Sequence, residues 1–264
     1  MLKQLNKRTG SARPWATLLG LGLITGLCAM PSFAIDPTSL QTMSGMEGGA
    51  FELKQELKLM KYEDATEWES ETSLEYEFNP RWALRLEVPY EFGDEEDSVG
   101  DVEVRLKHVF NPDSPNGFVV GGTAAMTFPT GEDSSGVGGD LRLRLSQWDL
   151  GTSGKHGLHG NLRLQYDTDV ESGEHHLLRE DEPEERDFRL GAVLGYTYQA
   201  TDATRLVVDV IGEQLKEDGA EAAMVELGLT HKLGNATTLA IGVGAGLGGD
   251  GPDYTAKAGL QFRF

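Results

Sequence analysis

Apolar and polar residues alternate along most of the chain between residues 51 and 264. The last segment shows the pattern most clearly, with Leu260 and Phe262 on one face and Gln261 on the other. Successive residues of a β-strand point to opposite faces, so this period of two predicts strands with one apolar and one polar side. Twelve strands are predicted, near residues 51–62, 67–78, 81–92, 101–110, 117–128, 140–149, 157–167, 187–199, 204–214, 222–233, 236–247 and 253–264. The weakest is the ninth, because Val207 and Ile211 fall on the face that should be polar.

The connections between these segments alternate in character. One set is short and rich in turn residues, at 79–80, 111–117, 151–157, 201–202 and 234–235. The other set is acidic and often longer, at 63–66, 93–100, 129–139, 168–186, 216–221 and 248–253. Outer-membrane barrels have short periplasmic turns, longer external loops and an even number of strands, which leaves both termini in the periplasm. The predicted fold is therefore all-β, a closed antiparallel up-and-down transmembrane β-barrel of twelve strands; ten or fourteen would break the alternation of the loops.

The apolar face is predicted to point outward, towards lipid. Aromatic residues collect at both ends of the strands, such as Trp82 and Phe110 at the turn end and Trp68 and Phe92 at the loop end, as at bilayer interfaces. A closed sheet of twelve strands has a backbone radius of about 12 Å, too wide for one layer of apolar side chains to fill. A soluble β-sandwich stays open as an alternative. Phe264, an aromatic C-terminus on the apolar face, favours the membrane and predicts recognition of the last strand by the outer-membrane assembly machinery.

Residues 1–34 have the three parts of a secretory signal peptide. A basic start is followed by an apolar run over residues 16–30 and by small residues, Ser32 and Ala34, at the cleavage site. This leader predicts export through the inner membrane, cleavage, and location in the outer membrane.

The mature chain is predicted to have two parts. Residues 35–50 form a periplasmic N-terminal segment, with folding into the pore as the alternative, and residues 51–264 form the barrel. No run of about 20 apolar residues follows the leader, so a membrane span must be made of strands.

Composition narrows the possible chemistry. The net charge is −20, and removing a leader with four Lys/Arg and no acid leaves −24, which argues against binding nucleic acid. Cys28 is the only cysteine and lies in the leader, so the mature protein has neither a disulfide nor a Cys-ligated metal. A lipoprotein signal at Cys28 is disfavoured, because Leu27 stands where a small residue is needed.

The charged face is predicted to line the lumen. The predicted lining residues are Glu52, Lys54, Glu56, Lys58, Glu69, Glu71, Glu75, Arg85, Glu87, Glu103, Arg105, Lys107, Arg142, Arg144, Arg163, Arg189, Glu226 and Lys257. One hypothesis is that an acidic wall on the second strand faces a basic arc on the sixth to eighth strands, with a transverse field between them. The alternative is that the charges pair with neighbours on adjacent strands, for instance Glu75 with Arg85 or Lys54.

Three patterns invite a catalytic or metal-binding interpretation, and each is disfavoured. His175 and His176 lie in an acidic loop without the fixed spacing of a metal site. An outward lipase site would need Ser70 beside His108 or His231, which lie near the opposite edge. Residues 244–249 match G-x-G-x-x-G but lie in a strand without a following helix, so their glycines are expected to leave lumen space or ease barrel curvature. No enzyme activity, cofactor or metal is predicted.

Short motifs resemble a bacterial family of outer-membrane transporters associated with the meta-pathway of phenol degradation. They are Leu86-Glu87-Val88-Pro89-Tyr90, Val99-Gly100-Asp101-Val102-Glu103-Val104, Phe128-Pro129-Thr130-Gly131-Glu132, Gly139-Asp140-Leu141 and His159-Gly160-Asn161-Leu162. The likeness covers residues 50–264 in architecture and about 80 residues in motif, and it implies movement of small molecules, including hydrophobic ones.

The sequence is compatible with two functions. The first is a passive or weakly selective diffusion channel for small solutes, among them small aromatic or hydrophobic molecules. The alternative is a non-transporting structural or adhesion barrel with a charge-filled lumen. The expected partners are outer-membrane lipid, lipopolysaccharide, the assembly machinery and small solutes.

Overall fold

The computed structural model of the protein describes residues 36–43, 46–93, 98–131, 136–168, 187–215 and 219–264. The predicted signal peptide and the pair His175-His176 lie outside these residues. In the described part of the chain, no helix is long and apolar enough to cross a membrane.

Thirteen strands are present in these ranges. They are β1 (Phe51–Lys61), β2 (Thr66–Asn79), β3 (Trp82–Gly93), β4 (Ser98–Val99), β5 (Val102–Val109), β6 (Phe118–Phe128), β7 (Val137–Leu150), β8 (His156–Thr168), β9 (Phe188–Gln199), β10 (Thr204–Gln214), β11 (Glu221–Lys232), β12 (Thr237–Gly249) and β13 (Tyr254–Arg263). Every neighbouring pair is antiparallel, and β1 pairs with both β2 and β13, so the sheet closes on itself. The short β4 and the longer β5 both pair with β3 and together form one wall strand. The predicted closed barrel of twelve strands is confirmed.

The least certain predicted segment, β10, is a full strand of the wall. It pairs along its length with β9 and with β11. Val207 and Ile211 are buried on its inner face, and Asp209 between them is buried too. The inner face is therefore apolar in places.

Short turns and both ends of the barrel chain lie at the same end of the structure. In the first turn, the Oδ1 of Asn79 accepts hydrogen bonds from the backbone N–H of Arg81 (2.9 Å) and Trp82 (3.1 Å). At the seam, the N–H of Phe51 donates to the carbonyl of Phe264 (2.8 Å), and the N–H of Phe264 donates back (3.0 Å). Backbone hydrogen bonds therefore close the ring up to the last residue, as an even number of strands requires.

The exterior is apolar and the interior is polar, the reverse of a soluble barrel. On β9, Leu194 is 63% exposed, whereas the inward Thr197 is 1% exposed. The buried set includes Glu52, Glu75 and many other charged or polar residues. So large an exposed apolar surface would be costly in water, because each Å² of apolar area costs roughly 25 cal/mol. The surface fits contact with lipid, and the soluble alternative does not fit these residues.

Two aromatic belts bound the apolar surface. At the turn end, Phe51 stacks on Tyr76 with ring centroids 4.5 Å apart and lies 6.1 Å from Phe264. At the loop end, Trp68 stacks on Phe92 at 6.1 Å. Such belts are typical of the two faces of a bilayer.

Residues 36–43 lie inside the barrel, which corrects the periplasmic location predicted for the N-terminal segment. The backbone N–H of Leu40 donates to Asp209 on β10 (3.1 Å), and that of Met43 donates to Ser146 on β7 (2.9 Å). Leu40 and Met43 are completely buried. The physical reason is that inward carboxylates and hydroxyls supply hydrogen-bond acceptors for the backbone N–H groups of the segment.

We expect an arginine on the lipid-facing side of β8 to destabilise the barrel according to its depth. Leu162 is 57% exposed at the middle of this strand, so Leu162→Arg should lower the free energy of unfolding by about 2–4 kcal/mol in lipid vesicles. Leu158, on the same face near the turn end, is the control, and Leu158→Arg should cost about 0–1 kcal/mol. Urea unfolding measures both, and equal losses would contradict the proposed position of the bilayer.

Candidate functional site: the charged lumen and its inner segment

A cavity of about 740 Å³ occupies the loop-side half of the lumen. Glu91, Ser98 and Gly131 line it towards the loops. Asp36 and Gln41 line it from the other side, and they belong to residues 36–43, here called the inner segment. Of the predicted lumen residues, twelve line this cavity: Lys54, Glu56, Lys58, Glu69, Glu71, Arg85, Glu87, Glu103, Arg105, Arg142, Arg163 and Lys257. The structure therefore brings most of the predicted set around one volume.

The other six predicted residues lie inside the wall but away from this cavity. They are Glu52, Glu75, Lys107, Arg144, Arg189 and Glu226. Glu52 lies 3.4 Å from Arg263, and Arg189 forms an ion pair with Asp167. The carboxylate of Glu226 accepts the backbone N–H of Ser39 at 2.5 Å. These residues close and fill the lumen beside the cavity.

A chain of ion pairs crosses β2, β3 and β5. Arg85 contacts Glu75 (2.6 Å) and Glu87 (3.0 Å) on its two sides. Glu87 continues to Arg105 (3.3 Å), and Lys107 contacts Glu75 (3.3 Å). Facing residues on neighbouring strands are about 5 Å apart, which lets these long side chains meet without leaving the wall. The pairing of Glu75 with Arg85, foreseen in the alternative hypothesis, is present.

Charges elsewhere in the wall are also paired locally. Asp140 holds both Arg142 (2.8 Å) and Arg163 (2.5 Å), so two members of the predicted basic arc share one carboxylate. Lys257 pairs with Glu56 across β1 and β13 at 3.1 Å. Most of the expected transverse field is cancelled at short range by these neighbours.

Two residues of the predicted acidic wall and basic arc are exceptions within the described part of the chain. Glu71 on β2 has Glu56 opposite it in the register, and no cation lies within ion-pair distance of its carboxylate. The buried Arg144 on β7 donates only to the hydroxyl of Thr123, at 3.5 Å. A field across the lumen can therefore arise from these two side chains and not from the whole of the two walls.

The inner segment crosses the lumen below the cavity. Besides the bonds of Ser39, Leu40 and Met43 to the wall, the Nδ2 of Asn161 donates to the carbonyl of Gln41 (3.1 Å). The indole Nε1 of Trp148 donates to the carbonyl of Met43 (2.7 Å). Donors and acceptors of the wall thus bind the backbone of the segment.

Asp36 begins the described segment and folds back on it. Its Oδ1 accepts hydrogen bonds from the N–H (3.5 Å) and the hydroxyl (3.4 Å) of Thr42. Burial raises the pKa of Asp36 above the usual range of a carboxyl, and the nearby charges of Lys54 and Arg144 oppose this rise. The carboxyl therefore stabilises the turn between residues 36 and 42 inside the lumen.

Apolar wall residues also pack against the chain where it continues from the inner segment towards the turn end. Met43 and Met46 pack with Ala83, Val109 and Val119 in one buried cluster. Sequence reasoning did not assign this cluster to the lumen, because it treated the inner face as uniformly polar. The inward Val207, which is buried and does not line the cavity, was the available signal that the interior is partly filled by protein.

An apolar strip also faces the cavity. Val193 on β9 and Ile211 on β10 are direct partners in the register and both line the cavity. Asn161 and Arg163 of β8 line it beside them. One side of the cavity can therefore contact an apolar group while its neighbours bind polar atoms.

Ser70, His108 and His231, the residues considered for a lipase site, contact other side chains in the structure. His108 packs between Trp82 and Phe110, with ring centroids 4.0 Å and 4.8 Å away. His231 contacts Thr204 (2.8 Å), whereas Ser70 accepts from Gln55 at 2.8 Å. The glycines of residues 244–249 belong to β12, as predicted, and none opens a helix.

We expect the ion-pair chain to depend on Arg85. Arg85→Gln removes the shorter ion pair of Glu75, which is 2% exposed, and leaves Lys107 at 3.3 Å as its partner among the described residues. The free energy of unfolding should therefore fall by about 3–5 kcal/mol. Lys58→Gln is the matched control, because its pair with Glu69 is long (3.7 Å) and a third exposed, and the loss should stay below about 1 kcal/mol. Similar small losses for both variants, measured by urea unfolding in vesicles, would show that the chain does not stabilise the barrel.

The fold is shared with solved outer-membrane proteins. The COG4313 outer membrane channel from Pseudomonas putida F1 superposes with a TM-score of 0.67 at 16% identity, covering 87% of this chain and all of that one. The KdgM porin in complex with disordered oligogalacturonate gives 0.56 at 11% identity, covering 81% and 99%. The NanC porin gives 0.55 at 12% identity, covering 80% and 98%.

Sequence comparison is more specific than these structural likenesses. A search of curated proteins finds no match. Residues 41–264 match the profile of the family described as "Putative MetA-pathway of phenol degradation". This match spans most of the chain, including the whole barrel and part of the inner segment. The chain therefore belongs to the phenol-degradation MetA-pathway family.

Proposed function

We propose that the protein is an outer-membrane channel for passive, weakly selective diffusion of small solutes. The observation that carries this proposal is the polar cavity of about 740 Å³ inside a barrel whose exterior is apolar. A lipid-facing exterior places the barrel axis across a bilayer, and the cavity then gives solutes a polar environment within it. Membership of the family and the likeness in fold to outer-membrane channels support the same function.

The cavity suits small solutes with both polar and apolar parts. Ion pairs of the wall offer charged groups, while Val193 and Ile211 offer an apolar surface. A small aromatic molecule with a polar substituent could contact both kinds of group at once. We therefore extend the proposal to small aromatic or hydrophobic molecules of this kind.

The second candidate is a non-transporting barrel with a structural or adhesive role. It is favoured by the filled turn-side half of the lumen, where Met43, Met46 and the ion pairs around Arg263 leave side chains buried. In this role, lipid and lipopolysaccharide are partners of the barrel, whereas a solute is not. Flux through the protein separates the two functions.

Refolded protein in planar bilayers should produce discrete current steps in KCl, because the cavity is polar and reaches the loop end. Insertion is checked by the slower heat-dependent gel migration of folded barrels. If correctly inserted protein gave no steps, and the variant lacking residues 36–43 described below gave none either, the structural candidate would replace the channel.

The channel should prefer cations weakly. Nine carboxylates and seven cationic side chains of the described residues line the cavity, and Glu71 is one of these carboxylates, with Glu56 opposite it in the register. Glu71→Gln should move the reversal potential in a KCl gradient towards zero. Asp202→Asn removes the same charge in the exposed β9–β10 turn, away from the cavity, and should leave the potential unchanged. An anion-selective channel, or equal shifts in both variants, would contradict this prediction.

A further inference from the structure

The inner wall of the barrel has four glycines where the inner segment passes closest. A Cβ atom on Gly242 would lie 1.8 Å from the carbonyl oxygen of Pro37. Hypothetical Cβ atoms on Gly228, Gly195 and Gly121 would come within 2.7 Å of Pro37, 2.6 Å of Leu40 and 2.4 Å of Met43, respectively. Gly242, Gly228, Gly195 and Gly121 belong to β12, β11, β9 and β6, respectively. Several strands of the wall therefore leave space for the segment.

Polar side chains of the wall form hydrogen bonds with the backbone of the inner segment. Carboxylates of Glu226 and Asp209 accept the N–H groups of two successive residues, Ser39 and Leu40. The hydroxyl of Ser146 accepts the N–H of Met43, and Trp148 donates to the carbonyl of the same residue. These contacts recognise the backbone of the segment, and the glycines accommodate it at residues 37, 40 and 43.

The inner segment binds inside the barrel without pairing with its strands. Each wall strand already has two antiparallel neighbours, so the ring needs no backbone hydrogen bond from residues 36–43. Their bonds to the strands use side chains of the wall. The barrel can therefore stay closed while the segment leaves.

We infer that these inward residues form a peptide-binding groove, and that residues 36–43 are an exchangeable plug which closes the turn side of the lumen. Below the segment, Ser146, His159 and Thr230 are buried and do not line the cavity. Release of the segment joins the cavity to the turn end of the barrel. The inference rests on the proposed channel function and adds the element that controls it.

Deletion of residues 36–43 should turn brief, infrequent current steps into long-lived openings of larger conductance, with an open probability at least tenfold higher. The deletion leaves every strand intact. Equal conductance and open probability in the two proteins would overturn the plug while leaving the channel standing. Silence of both proteins after verified insertion would instead contradict the channel itself.

A single inward methyl group tests the fit of the groove. Gly242→Ala should increase the open probability, because the clash with Pro37 involves a backbone atom that no side-chain rotation relieves. Gly212→Ala is the matched control, since this glycine lies on the outer face of β10, does not line the cavity, and its Cβ would meet nothing within 4 Å.

Combining Gly242→Ala with the deletion of residues 36–43 separates a clash with the segment from a general folding defect. If Gly242→Ala fails to fold, the same substitution combined with the deletion should fold, because the clashing residue is then absent. Failure of the combined variant, or equal effects of Gly242→Ala and Gly212→Ala on the open probability, would overturn the fit.

Binding can be measured without any current. A dye-labelled peptide with the sequence of residues 36–43 should bind the deletion variant in detergent with a saturable rise in fluorescence anisotropy. Full-length protein, whose groove is occupied, should bind at least tenfold more weakly, and a scrambled peptide should not bind. Added from the turn side of a bilayer, the same peptide should shorten the openings of the deletion variant. Equal binding of native and scrambled peptides would overturn the groove.

Discussion

The structure depends on the closure of its sheet. Backbone N–H and C=O groups that face lipid have no water to bind, so each must find a partner within the wall. The pairing of β1 with β13, continued to the last residue by the bonds between Phe51 and Phe264, removes the free edges. Closure then assigns alternate residues to lipid and to lumen, and this assignment puts the large apolar side chains outside and the charged ones inside.

Register decides what the inward charges do. A charge placed in a narrow interior is costly unless an opposite charge or water is near it. The antiparallel register sets Glu75 opposite Arg85 and puts Arg142 and Arg163, themselves opposite each other, within reach of Asp140. Local pairing consequently dominates over a field between distant walls. Glu71, which lines the cavity, and Arg144, which is buried beside it, have no ion pair among the described residues.

The interior is a layered space and not a uniform pore. Towards the loops it is a polar cavity with an apolar strip; towards the turns it is filled by the inner segment, a small apolar cluster and further ion pairs. The buried Val207 and the inward glycines that residues 37, 40 and 43 approach are consistent with a wall shaped around a peptide. A channel and a filled barrel are then two states of one architecture, separated by the position of a short segment.

The sequence by itself determined the strands, their two faces, the alternation of turns and loops, and hence a closed barrel of twelve strands. These follow from local periodicity and turn chemistry, which act between residues close in the chain. It also indicated which charges point inward, and even the pairing of Glu75 with Arg85, because those residues lie on adjacent strands joined by a tight turn. The location of residues 36–43 was decided only by the tertiary structure. Their partners, Asp209, Glu226, Ser146 and the inward glycines, are more than 75 residues away along the chain, and they come together only when the sheet closes into a ring.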